Sequence, residues 1–121
     1  MDLKSHKDLE VYKTSMDLVS SIYKITKGFP DDEKFGLTSQ IRRAAISIPS
    51  NIAEGAARKN TKEYIQFLYH SLGSASEIET QLDLAERLGF LESPAVMQER
   101  IHYIISMLTG LIKSLQKKLT S

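Results

Sequence analysis

The stretch RRAAISIPSNIAEG, residues 42–55, decides how this chain folds. Apolar residues recur in it every three or four positions, which predicts an amphipathic helix. Pro49 interrupts that pattern, because a proline inside a helix removes one backbone hydrogen bond and costs about 3 kcal/mol. We therefore predict a helix that bends at Pro49, with Ser47, Ser50 and Asn51 available to hydrogen-bond the backbone beside it.

Three further helical patterns surround this one, separated by short breaks. The first covers about residues 9–27, and the helix that holds Pro49 begins near Thr38. The third follows Asn60 and the fourth follows Ser93, since Asn and Ser are favoured helix N-caps. Short connections make consecutive helices antiparallel. The predicted fold class is all-α, an up-down-up-down antiparallel four-helix bundle whose second helix is kinked at Pro49.

Apolar stripes along these helices predict the core, and two segments predict local backbone features. Gly28 is expected to end the first helix in the left-handed conformation, and the small residues 73–76 (GSAS) are expected to let another helix approach closely. Several helices are apolar over more than the ~100° arc that one bundle needs, which favours self-association. The first helix has a stripe of Leu9, Tyr12, Met16, Val19, Tyr23 and Thr26 beside another of Leu18, Ile22 and Ile25, and the second has Ile41, Ala45, Ile48, Ile52 and Ala56 beside Ile46, Pro49, Ala53 and Ala57.

Length and composition place further bounds on the chain. Its 121 residues suit one domain over residues 1–121. The absence of cysteine excludes disulfides, thiolate metal sites and a cysteine nucleophile. The start of the chain, MDLKSHKDLEVYK, is too polar for a signal peptide, and no apolar run approaches the ~20 residues of a membrane helix. We expect a cytoplasmic protein with no membrane partner.

The net charge of +1 conceals an uneven distribution along the chain. Residues 34–62 carry six basic groups and one acidic group, whereas residues 63–99 carry one basic group and seven acidic groups. Such blocks mark either a polar binding surface or complementary faces that neutralise one another.

The central motif FGLTSQIRRAAISIPSNIAEGAAR, together with LEVYK, GFPDDEKFG, FLYHSLGSASEIETQL and MLTGLIKSL, resembles a known family. It is similar to the four-helix bundle proteins encoded in intervening sequences of bacterial 23S ribosomal RNA genes. The resemblance implies a ring-like homopentamer. It also implies kinship with the accessory protein of diversity-generating retroelements, a basic pentameric bundle that binds nucleic acid and a reverse transcriptase. No biochemical activity is established for most members.

Basic side chains in and beside the motif are the candidate nucleic-acid contacts. A ring would repeat each of them, and phosphate backbones favour concentrated positive charge. The alternative is that Arg43 and Arg58 pair with Glu54 or with the acidic third helix of a neighbouring subunit. No aromatic stacking platform is expected beside them, so sequence-specific recognition is not indicated. The candidates are Arg42, Arg43, Arg58, Lys59 and Lys62.

The remaining polar residues of the motif have a structural interpretation. Asn51 and Glu54 either satisfy backbone groups that Pro49 frees or make polar contacts within an oligomer or with a ligand. With Ser47, Pro49 and Gly55 they form the predicted structural motif.

Catalytic and metal-binding patterns are weak in this chain. Glu99-x-x-His102 has the spacing of a di-iron ligand pair, but the second copy and the two further core glutamates of such sites are missing. No serine context marks a catalytic triad, and single glycines form no phosphate-binding loop. We therefore expect no enzyme, no cofactor and no metal.

These observations support a non-enzymatic, oligomeric helical bundle that binds RNA or DNA through repeated basic residues, with a protein partner as a further expectation. The alternative is a protein–protein assembly module that binds no nucleic acid.

Overall fold

The computed structural model describes residues 5–120. Four α-helices occupy most of this range, which contains no β-strand. The helices are α1 (Glu10–Thr26), α2 (Leu37–Ala56), α3 (Thr61–Arg87) and α4 (Ala95–Thr120), and 3₁₀ turns occupy His6–Asp8 and Asp31–Glu33. The all-α prediction is confirmed. The predicted domain of residues 1–121 also includes residues 1–4 and 121, which lie outside the described residues.

Each helix packs on the next one along the chain, and α4 also contacts α1. This closes an up-down-up-down bundle around one apolar cluster to which all four helices contribute. The largest fully buried apolar side chains are Leu18, Ile22, Ile41, Ile48, Ile52, Leu68, Ile78, Leu82, Ile101, Ile104 and Leu108. The predicted bundle is therefore confirmed.

The two apolar stripes of α1 differ in how deeply they are buried. Leu18 and Ile22, from the shorter stripe, are fully buried, whereas Met16 and Tyr23 from the longer stripe are exposed. In α2, likewise, Ile46 of the adjoining stripe is exposed. Periodicity identifies apolar positions, but the position of the neighbouring helices decides which of two adjacent stripes faces the core.

Helix ends follow the predicted local chemistry, with one correction. The Asn60 side chain accepts a hydrogen bond from the Glu63 N–H at 2.8 Å and caps α3. Gly89, with φ of +78°, ends α3 in the left-handed conformation, and the Phe90 N–H reaches the Ala85 carbonyl at 2.8 Å. The left-handed conformation predicted for Gly28 is wrong, because Gly89 is the sole glycine with positive φ among the described residues.

The close approach of α2 and α3 occurs at a glycine of α2. A Cβ atom on Gly55 would lie 2.8 Å from the Phe67 Cβ and 2.9 Å from a Tyr64 ring carbon. Gly73 of the GSAS segment, by contrast, has no such neighbour within 4 Å. Within the segment 73–76, the residues that face the bundle are instead Ala75, which is fully buried, and Ser74, which donates to the Ser47 hydroxyl of α2 at 2.8 Å. Burial raises the pKa of the Tyr64 hydroxyl above its ordinary value of 10.0.

Polar side chains of α2 and α3 hydrogen-bond the α2 backbone near Pro49. The Ser71 hydroxyl donates to the Ile48 carbonyl at 2.9 Å, and this hydrogen bond is buried. The Asn51 amide donates to the Ser47 carbonyl at 2.8 Å. The acceptors of these hydrogen bonds are the carbonyls of Ser47 and Ile48. The carbonyl that loses its backbone partner because Pro49 has no N–H is that of Ala45, four residues before it. α2 continues through Pro49 as one helix, and its bend stays a prediction.

Candidate nucleic-acid interface

The five predicted basic residues lie at the two ends of α2. Arg42 and Arg43 lie in its second turn, while Arg58, Lys59 and Lys62 lie in or beside the turn that leads to α3. Arg43 and Arg58 are fifteen positions apart, most of them within α2, which corresponds to roughly 22 Å along the axis. One copy of the chain therefore presents two separate basic regions.

Arg42 is held against the end of α1. Its Nε donates to the Thr26 hydroxyl at 2.8 Å, and an Nη donates to the Tyr23 carbonyl at 3.5 Å. Its guanidinium carbon lies 4.4 Å from the centroid of the Tyr23 ring. A cation is favourable here because carbonyl dipoles converge at a helix C-terminus. Arg42 is thus a structural contact between α1 and α2, and part of its charge is already engaged.

A cavity of about 460 Å³ opens beside Arg42, between the end of α1 and the start of α2. We call it the α1/α2 cavity. Phe35 is 90% exposed at its edge, and the Lys34 ammonium lies 5.7 Å from the Phe35 ring centroid. Among the described residues, none that line the cavity is acidic. Its lining residues are Tyr23, Lys34, Phe35, Thr38, Ser39, Arg42, Arg43 and Ile46.

This cavity places aromatic side chains beside two of the basic residues, where no aromatic stacking platform is expected from the sequence. Tyr23 and Phe35 both line it with Arg42 and Arg43. The adjacency of Lys34 and Phe35 was visible in the sequence, so that part of the site could have been found there. Tyr23 could not have been found in the sequence, because it precedes Arg42 by nineteen positions and only the packing of α1 on α2 brings the two together.

The basic group at the other end of α2 has fewer contacts. The Arg58 guanidinium lies 3.5 Å from the Glu54 carboxylate and 4.6 Å from the Phe67 ring centroid. Both members of this ion pair remain substantially exposed, so solvent and salt screen it. Lys59 and Lys62 are exposed. These three cations remain accessible to an anionic ligand in one copy of the chain.

A polar cluster connects the first basic group to α3. The Ser47 hydroxyl accepts a hydrogen bond from the Ser74 hydroxyl at 2.8 Å and another from the Asn51 amide at 2.9 Å. Arg43 and Glu77 line the shallow cavity beside these groups. An acidic side chain of α3 therefore lines the same cavity as Arg43 within one copy, whereas the pairing alternative places Arg43 against Glu54 or against α3 of a neighbouring subunit.

His102 contacts an acidic residue of α3 and not Glu99, with which it shares the Glu-x-x-His spacing. Its Nε2 lies 2.6 Å from the Glu79 carboxylate, at the exposed surface. Over residues 5–120, no three His, Asp or Glu side chains come together in an arrangement that could hold a metal ion.

Comparison with known proteins adds a family and a structural relative. The profile of the family described as "23S rRNA-intervening sequence protein" matches residues 7–110. The crystal structure of a protein of unknown function from the S23 ribosomal protein family of Bacteroides thetaiotaomicron is similar, with a TM-score of 0.78 and 26% sequence identity. The similarity covers 85% of this chain and 95% of that one. No curated protein matches significantly.

None of the described helices is both long and apolar enough to cross a membrane.

Proposed function

This chain belongs to the 23S rRNA-intervening sequence protein family, and we propose that it is a non-enzymatic helical bundle that self-associates and binds RNA or DNA through repeated basic side chains. The observation that carries the proposal is the α1/α2 cavity, whose lining holds three cations and two aromatic rings and, among the described residues, no acidic side chain. Phosphate groups favour a surface on which several cations lie together in this way.

Self-association is supported by the apolar surface of a single copy. Among the described residues, ten large apolar side chains are exposed, from 37% for Tyr23 to 90% for Phe35. Met16 and Ile46 are two of them, and they line a cavity of about 300 Å³ with Tyr12, Val19, Pro49, Ser50 and Ala53. Surfaces of this kind mark interaction sites more often than isolated apolar residues do. Following the resemblance of its motif, we propose five copies.

The first prediction concerns binding by the unmodified protein. We expect it to retard a labelled RNA or DNA oligonucleotide, with the logarithm of the binding constant falling linearly as the logarithm of the salt concentration rises. Counterions released from the phosphates cause this dependence. The measurement is a mobility-shift or anisotropy titration at several salt concentrations. Absence of any binding at ~20 mM salt would refute the nucleic-acid part of the proposal.

The second prediction concerns the mass in solution. One copy has a mass of 13.6 kDa, and five copies would have roughly 68 kDa. Multi-angle light scattering at micromolar concentration is expected to give the larger value, because apolar side chains that are exposed in one copy, such as Met16, are covered by another copy. A stable species with the mass of one copy would contradict self-association.

A second candidate function is assembly without nucleic acid. It is favoured by the contacts that two of the candidate arginines already make within the bundle: Arg42 with Thr26, and Arg58 with Glu54. Under this alternative the basic groups join helices or subunits, and their reversal changes the mass of the assembly.

A further inference from the structure

We propose that the α1/α2 cavity binds one unpaired nucleotide, with its base stacked on Phe35 and its phosphate held by Lys34 and Arg43. This inference rests on the proposed nucleic-acid binding and specifies its ligand as a single strand. The observation behind it is the ring of Phe35, which is exposed to solvent beside cationic side chains.

Phe35 has no packing role in one copy, yet its backbone is well held. The ring is 90% exposed. The turn that presents it is fixed by hydrogen bonds from the Gly36 N–H to the Glu33 carbonyl at 2.9 Å and from the Lys34 N–H to the Asp31 carbonyl at 3.1 Å. The Glu33 carboxylate also accepts from the Leu37 N–H at 3.0 Å. An exposed ring on a fixed turn is preorganised for stacking, so little conformational freedom is lost on binding.

The charges around Phe35 suit a phosphate next to a stacked base. Lys34 lies near the ring, and Arg43 is exposed on the cavity wall. Because the Glu33 carboxylate already bonds the first N–H of α2, we assign the phosphate to these two side chains and not to the helix N-terminus. Asp31 lines the adjoining cavity with Lys34 and Arg42, outside the α1/α2 cavity.

The remaining walls of the cavity suit the size and edges of a base. Its volume of about 460 Å³ falls within the usual range for small-ligand sites. The hydroxyls of Thr38 and Ser39 line it and can donate to, or accept from, a base edge. Tyr23 and Arg42 form a second stacked layer, since their centres lie 4.4 Å apart. Aromatic rings among cations are the usual means of binding single strands, because every base has a face that can stack.

The inference predicts a preference for unpaired strands. A base inside a duplex is stacked on its neighbours and cannot reach Phe35. An acidic segment of a protein or a second copy of this chain would also be attracted to these cations. Neither occupant would make the protein bind a single strand more tightly than a duplex. Comparison of a single strand with its duplex therefore separates these occupants.

The experiment uses two substitutions at Phe35 and two oligonucleotides. Phe35→Ala should weaken binding of a twelve-nucleotide single-stranded RNA about tenfold, because stacking of one base is lost. It should leave the salt dependence and the binding of the matching duplex unchanged. Phe35→Trp should retain single-strand binding. Since the chain contains no tryptophan, the introduced indole is a specific reporter, and its fluorescence should fall when the single strand binds.

Three results would overturn the inference in distinguishable ways. If the protein binds RNA but Phe35→Ala binds as well as the parent, and the indole emission does not change, the stacking site is wrong while the proposed function stands. If Phe35→Ala instead lowers the mass of the assembly, Phe35 is a subunit contact. If the unmodified protein binds neither oligonucleotide, the proposed function itself fails and the inference fails with it. The thermal unfolding of Phe35→Ala should match that of the parent, since the ring is exposed.

Discussion

Replacing Arg43, Arg58 and Lys59 together with glutamate is expected to weaken RNA or DNA binding by at least about a hundredfold at ~0.1 M salt. Each substitution removes a positive charge and introduces a negative one, at positions that are exposed in one copy. Self-association would repeat the loss in every subunit. The slope of the salt dependence should also decrease, by about one for each phosphate contact removed.

The choice of residues follows from the contacts of the arginines. Arg42 is left unchanged because it bonds Thr26 and Tyr23, and its reversal would place a carboxylate beside the carbonyls at the end of α1. A matched control replaces Arg87, Lys113 and Lys117 with glutamate, which gives the same change of net charge on other parts of the surface. The control should bind at least tenfold more tightly than the first variant.

Light scattering on the same variant separates the two candidate functions. If binding falls and the mass is unchanged, the basic groups contact nucleic acid. If the mass falls toward that of one copy, they join subunits, as the assembly alternative requires. Binding equal to that of the control variant would show that the location of these charges does not matter, which contradicts the proposed interface.

Gly55→Ala is expected to lower the free energy of unfolding by about 1–3 kcal/mol, although alanine is normally the better helix former. The new methyl group would lie 2.8 Å from the Phe67 Cβ and 3.2 Å from the Tyr64 carbonyl. A Cβ atom and a backbone carbonyl cannot rotate away, so α2 and α3 must separate locally. The loss of packing there exceeds the gain in helix propensity.

Gly73→Ala is the matched control because Gly73 lies in a helix interior without neighbours within 4 Å of an added methyl group. It should raise the free energy of unfolding by about 0.5–1 kcal/mol. Urea titrations of both variants at the same protein concentration measure the difference, since unfolding of an oligomer depends on concentration. Equal stability of the two variants would contradict the close contact assigned to Gly55.

Local chemistry made much of the fold predictable. Asn60 caps α3 because its side chain bonds a nearby N–H, and that interaction needs only neighbouring residues. Spacing of apolar residues likewise located the four helices to within a few positions. The left-handed Gly28 was wrong because glycine permits that conformation but does not require it.

The candidate site was less predictable, for a reason that its residues illustrate. The basic side chains could be listed from the sequence, but not their separation into two regions or the engagement of Arg42 by Thr26 and Tyr23. Similarly, no local pattern distinguished Gly55, at a close helix contact, from Gly73, at the surface.

The sequence by itself determined which segments are helical, where they begin and end, and that they form a bundle, because these properties depend on interactions over a few residues and on apolar periodicity. Only the tertiary structure decided which of two apolar stripes faces the core, and that Tyr23 and Phe35 share a cavity with Arg42 and Arg43. Those outcomes depend on how α1 and α2 are placed against each other, which is set by the packing of the whole bundle.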